Sequence, residues 1–186
     1  MKAIRVFGIA LLCCLMVPTT RVSAQGTAAQ ETPAQTFNGL MSLLEKEVVS
    51  AAEAMPADKY NFAPTQGEFK GVRTFGEQVK HLAEANYGFF QGWSVPGAVK
   101  SEDIEKLTGK DDIVKALRDS YAYAHKALDT LTPANAFDEM SFGPAKTTRT
   151  GIAAFCIAHS MDHYGQMVVY LRMNGIVPPA SRRGNM

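Results

Sequence analysis

Four stretches of about twenty residues place apolar side chains at intervals of three and four. No segment alternates with period two for long enough to read as a strand. A helix turns about 100° per residue, so this spacing lays the apolar groups along one stripe. Such stripes are stable only when packed on one another. Four of them with short connections predict an all-α fold, a four-helix bundle. The first stretch opens at Thr32-Pro33-Ala34-Gln35: a threonine cap, proline at the first helical position, and glutamine three residues after the cap. Phe37, Leu40, Met41, Leu44, Val48, Ala51 and Met55 follow, and Pro56 ends it. The second opens at Thr74, with Glu77 three residues on, and runs to about Trp93 through Phe75, Val79, Leu82, Phe89 and Phe90. The third runs from near Asp111 to near Leu131 on Val114, Leu117, Tyr121, Ala124 and Leu128. The fourth starts within 147–150 and ends near Asn174, where Gly175 is a C-cap and Pro178-Pro179 forbids continuation. Between them, residues 57–73 form a connection whose Tyr60, Phe62 and Phe69 are expected to seal the bundle end. Residues 101–107 form a short helical piece, and 134–146 a loop with a turn signal at Gly143-Pro144.

The bundle accounts for residues 32–186. Residues 1–24 read differently. Lys2 and Arg5 precede an uncharged, mostly apolar run over 6–17, and Val22-Ser23-Ala24 is a small-residue cleavage site. This is the pattern of a secretory signal peptide cut before Gln25, and it predicts a periplasmic or secreted protein. An uncleaved anchor is the competing reading, although the apolar run is short for a bilayer. Residues 25–31 are small and polar, a flexible lead. Cleavage removes Lys2, Arg5 and Arg21, which takes 19 basic side chains to 16 against 18 acidic ones, so the net charge moves from +1 to −2. No basic stretch remains beyond Arg182-Arg183, which disfavours nucleic-acid binding. No membrane association is expected after cleavage. Of three cysteines only Cys156 is left, so no internal disulfide can form.

The chemistry concentrates in residues 158–166, A-H-S-M-D-H-Y-G-Q. His159 and His163 stand at i, i+4, which brings the two rings within about 40° of each other and roughly 6 Å apart along the axis. Zinc metalloproteases pair histidines in this way, but their glutamate is absent here, because Ser160 follows His159. In projection the pair shares an arc with Ile152, Phe155, Cys156, Gln166, Tyr170 and Met173, which puts it on the buried stripe. Two buried imidazoles need partners for their nitrogens. A divalent metal would satisfy both rings; side chains or water are the alternative. A third ligand would come from another helix. His81 shares a face with Thr74, Ala85, Gly88 and Gly92 but sits on the flank of its helix's apolar residues. His81 is still the better candidate, since His125, beside the third helix's stripe next to Ala124, reads more plainly as a surface or boundary histidine. Three histidines without a fourth protein ligand fit an open catalytic site, and all-nitrogen ligation suits a divalent transition metal, zinc or nickel foremost. Asp162 and Glu84 are candidates for ligand, base or outer partner, with solvated charge as the alternative for each. Gln166 could hold a metal-bound water or simply pack. Cys156 reads as a ligand or, more plainly, a small core residue.

Three segments together resemble the DinB-like superfamily, also called YfiT-like, whose members are described as metal-dependent enzymes. They are K-H-L-A-E-A-N-Y in the second helix, H-S-M-D-H-Y-G-Q in the fourth, and L-R-M-N-G-I-V-P-P after it. The resemblance covers essentially the whole chain after residue 24. It implies an up-down-down-up bundle with a metal on His81, His159 and His163, which decides between His81 and His125. Some members transfer or isomerise with low-molecular-weight thiols and others are proposed hydrolases. Reduced thiols are scarce outside the cytoplasm, so an export signal weighs against thiol transfer here. The expectation is an exported metal-dependent hydrolase or transferase acting on a small-molecule substrate, with a homodimer as a further association to test. A non-enzymatic bundle that binds a metal or small ligand is the alternative.

Overall fold

The computed structural model describes residues 30–182. The signal peptide expected over 1–24 and nearly all of the lead expected over 25–31 lie outside the described residues, as does Arg183. Helix α1 (Pro33–Ala54) begins where its cap predicts. The Thr32 hydroxyl accepts from the Gln35 amide at 3.2 Å, and the Gln35 side chain accepts from the Thr32 amide at 2.9 Å. Helix α2 (Phe75–Phe90) repeats the device with Thr74 and Glu77, at 3.2 and 2.7 Å, and continues as a tighter turn to Trp93. Each box satisfies two of the amides that a helix start leaves unpaired. Helix α3 (Ser101–Glu105) is the short piece, and α4 (Lys110–Leu128) is the third long helix. Helix α5 (Arg149–Met173) closes on Gly175, whose φ of +74° lets the Ile176 amide reach back to the Leu171 carbonyl at 2.9 Å.

Side-chain bonds give the directions of the helices. Asn38 pairs with Asp129, and Glu53 with Arg118, so α1 and α4 are antiparallel. Asn86 pairs with Ser120, and Tyr123 with the Phe90 carbonyl, so α2 and α4 run parallel. Gln78 pairs with Gln166, and Asn86 with Cys156, so α2 and α5 are antiparallel. The bundle is therefore up-down-down-up, with α1 packed on α4 and α5, and α2 on the same two helices. Met41, Val48, Leu82, Leu117, Tyr121, Leu128, Met167 and Leu171 are completely buried at its centre. Among the described residues no helix is long and apolar enough to cross a membrane.

Three expectations are corrected. Residues 134–146 are not all loop: β1 (Glu139–Phe142) and β2 (Ala145–Thr148) form an antiparallel hairpin with Phe142 opposite Ala145. The alternation of Glu139-Met140-Ser141-Phe142 is present but spans only four residues, and Gly143 at φ +56° followed by Pro144 is a two-residue hairpin turn visible in the sequence. Phe155 and Met173 are half exposed instead of buried with the histidines. Helix α5 is apolar over most of its circumference, so projection alone centres its stripe poorly. Its buried face runs through Cys156, Ser160, His163, Met167 and Tyr170. Of the three rings expected to seal the bundle end, Tyr60 is buried with its hydroxyl on the Ala52 carbonyl at 2.7 Å, and Phe62 meets Tyr170 edge-on. Phe69 is 41% exposed.

Candidate metal centre

The antiparallel seam of α2 and α5 carries the site. His81 lies on α2 two turns after its cap, and His159 and His163 lie one turn apart on α5. The Nε2 atoms of His81 and His159 are 3.2 Å apart, and those of His159 and His163 are also 3.2 Å apart. One ligand nitrogen from each of the three rings lies within 4.8 Å of the other two. A tetrahedral ion with metal–nitrogen bonds of about 2.0–2.1 Å holds its ligands about 3.3 Å from one another. The spacing therefore fits three nitrogens on one ion, and these histidines can hold a metal.

The electrostatics agree with the distances. Burial, the Arg73 guanidinium and the other two histidines push His81 down to about 4. Burial, with His159 next, pushes His163 down to about 4 as well. Burial lowers His159 too, against the pull of Asp162. All three rings are neutral at neutral pH, as ligation requires. Without an ion the cluster is poorly satisfied. His163 Nδ1 bonds the Gln78 carbonyl oxygen at 2.6 Å, so its Nε2 carries a lone pair. His159 Nε2 faces both other rings and has at most one proton to offer. Its Nδ1 is also buried without a hydrogen-bond partner, a separate deficit that an ion on Nε2 would leave in place.

A family model described as the DinB superfamily matches residues 41–167. The chain belongs to the DinB superfamily. Two solved DinB-like proteins share its fold. One, from Bacillus cereus ATCC 10987, is 18% identical with a TM-score of 0.66, and the match covers 77% of this chain and 93% of that one. The other, YjoA from Bacillus subtilis, is 19% identical with a TM-score of 0.62, covering 80% and 99%. No curated protein matches significantly.

Around the three histidines of this DinB chain, the remaining residues take distinct places. Glu84 Oε2 lies 4.0 Å from His81 Nδ1, outside hydrogen-bond reach. Burial, with Glu105 next, raises its pKa. It lines a cleft of about 630 Å³ together with His81, Arg73, Lys80 and Glu105. Asp162 is exposed on α5 and accepts from Gln166 at 3.0 Å. The Gln166 carbonyl accepts from the Gln78 amide at 2.8 Å, so both ends of Gln166 are engaged within the protein. Cys156 is fully buried, with its thiol 3.5 Å from Asn86 Oδ1, and is not among the three ligands. His125 is on the α1–α4 seam, bonded to Asn38 at 2.6 Å and Glu45 at 3.2 Å, away from the cluster.

Two sets of contacts escaped the sequence reading. Gln78, only 1% exposed, is the direct partner of His163. It stands three residues before His81, and that spacing was the available signal. Phe89, Phe142 and Phe155 form an aromatic cluster, and the rings of Phe89 and Phe155 lie 5.2 and 6.4 Å from His159. Phe142 arrives on the unforeseen hairpin.

Proposed function

We propose that this DinB protein is an exported metal-dependent enzyme, a hydrolase or transferase, that holds zinc or nickel on His81, His159 and His163. The observation that carries the reading is the convergence of three neutral imidazoles beside a solvent cleft, without a fourth protein ligand among the described residues. Structural zinc sites are closed by four protein ligands, whereas catalytic sites keep one position open. A divalent ion there supplies Lewis acidity, polarising a substrate oxygen or acidifying a water.

The protein's own groups divide the remaining work. His81 is partly exposed and borders the cleft, so substrate reaches the centre from the α2 side. Glu84 is the proton carrier in this reading. It lines the same cleft, and burial and then Glu105 raise its pKa, the direction that favours a carboxyl group able to hold a proton. Asp162 and Gln166 are occupied with each other and leave that role to Glu84. Phe89 and Phe155 of the aromatic cluster pack against the His159 ring.

The test is turnover. Metal-depleted protein, reconstituted with zinc or with nickel, is assayed against ester, amide, phosphoester and thiol-conjugation panels. The proposal expects activity that requires the metal and falls at least tenfold in Glu84→Gln. Inertness of the loaded protein across all four panels would favour a non-catalytic metal-binding bundle.

A further inference from the structure

We infer that Gln78, Gln166 and Asp162 form a directional hydrogen-bond relay that fixes which nitrogen of His163 is free to bind metal. The inference rests on the metal reading of the three histidines and extends it outward by three residues. Its basis is three distances: His163 Nδ1 to Gln78 Oε1 at 2.6 Å, Gln78 Nε2 to Gln166 Oε1 at 2.8 Å, and Gln166 Nε2 to Asp162 Oδ2 at 3.0 Å.

The polarity of the chain follows from its outer end. An ionised carboxylate only accepts, so Gln166 must turn its NH₂ toward Asp162. Its carbonyl then faces Gln78, which must answer with its own NH₂. The Gln78 carbonyl is left facing His163, so the His163 proton sits on Nδ1 and the lone pair on Nε2. An exposed carboxylate thus sets the tautomer of a buried ligand through two amides. An amide by itself carries no such instruction, because its two ends are nearly the same size and either can face a neighbour. Gln78 is 1% exposed, so water cannot substitute for its partners.

The relay gives Asp162 and Gln166 a role that neither base nor water-holder describes: they are positioning residues for a ligand. It also places negative charge at the far end of a chain of donors, which strengthens His163 as a donor to the ion.

The experiment uses nitrogen-15 NMR of the imidazoles in metal-free protein, together with zinc affinity from competition with a chromophoric chelator. Wild type should show His163 as the Nδ1–H tautomer. Asp162→Asn replaces the accept-only end with an amide that can face either way, at an exposed position. It should give a mixture of tautomers and weaken zinc binding severalfold without moving the metal-free melting temperature. Gln78→Leu should weaken zinc binding about 10–100-fold. Gln78→Glu, which accepts from Nδ1 without needing Gln166, should recover most of that loss. An Nε2–H tautomer in wild type, or wild-type tautomer and zinc affinity in Asp162→Asn, would overturn the relay. Absence of zinc binding by wild type would instead refute the metal reading, and the metal-free tautomers would still decide the relay.

Discussion

The Nε2 atoms of His81 and His159 lie 3.2 Å apart, although 78 residues separate them in the chain. Two neutral imidazoles at that distance share at most one proton, and His163 offers a third nitrogen to the same point. The fold holds the rings there from both sides. Helix α2 is fixed at its start by the Thr74–Glu77 box and α5 by the Thr148 cap, and Gln78 bridges the two helices.

The folded state should resist protonation of the cluster. His81 and His163 stand near 4 in the fold against 6.5 for a free histidine. Between those values the unfolded chain binds more protons, so stability rises with pH there and is lost as pH falls from 6.5 toward 4. Thermal melts of metal-free protein should show this decline, and a His81→Gln/His163→Gln double variant should flatten it. An equally steep decline in the double variant would assign the effect to other groups.

Metal affinity should follow the folded values as well. A free histidine begins to lose metal to protons below about 6.5, which is the onset expected from sequence alone. With two of the rings near 4, zinc affinity measured by calorimetry should change little from pH 7.5 to about 5.5 and then fall. A drop of tenfold or more already at pH 6 would contradict the depressed values.

Cys156 should be inert in the native protein. Burial pushes its thiol up to about 12, and it is fully enclosed beside Asn86. Reaction with an aromatic disulfide reagent should be negligible until denaturant is added, with and without zinc. Fast labelling of metal-free protein that zinc suppresses would instead make Cys156 a ligand.

Thr74 supports the site through its helix. Thr74→Ala removes one bond of the capping box and should cost about 1 kcal/mol in urea unfolding of metal-free protein. Gln78 and His81 lie one and two turns further on, so zinc affinity should fall as well. An unchanged urea midpoint would show that the cap carries no weight here.

The long helices were legible because their apolar stripes are regular. Val114, Leu117, Tyr121, Ala124, Leu128 and Leu131 are all buried, as their spacing predicts. His159 and His163 were legible from their i, i+4 step. His81 was favoured over His125 by the small residues on its face but not settled by pattern, since it flanks its helix's bulky residues, and the resemblance decided it. Gln78 stayed hidden because its three-residue step from His81 puts it beside a ligand without showing what it meets; that comes from His163 and Gln166 on α5. The hairpin was missed for lack of length, and with it the ring of Phe142. The meeting of Gln78 with His163 and Gln166, and of Phe142 with Phe89 and Phe155, is set by tertiary contacts that no local pattern encodes.

The most direct test is the metal content of protein purified without an affinity tag, measured by elemental analysis after zinc reconstitution. The account predicts about one ion per chain in wild type and substoichiometric metal in each of His81→Ala, His159→Ala and His163→Ala, with the helical circular-dichroism spectrum retained. Full occupancy in His81→Ala would break the link between α2 and α5 at the metal and contradict the account.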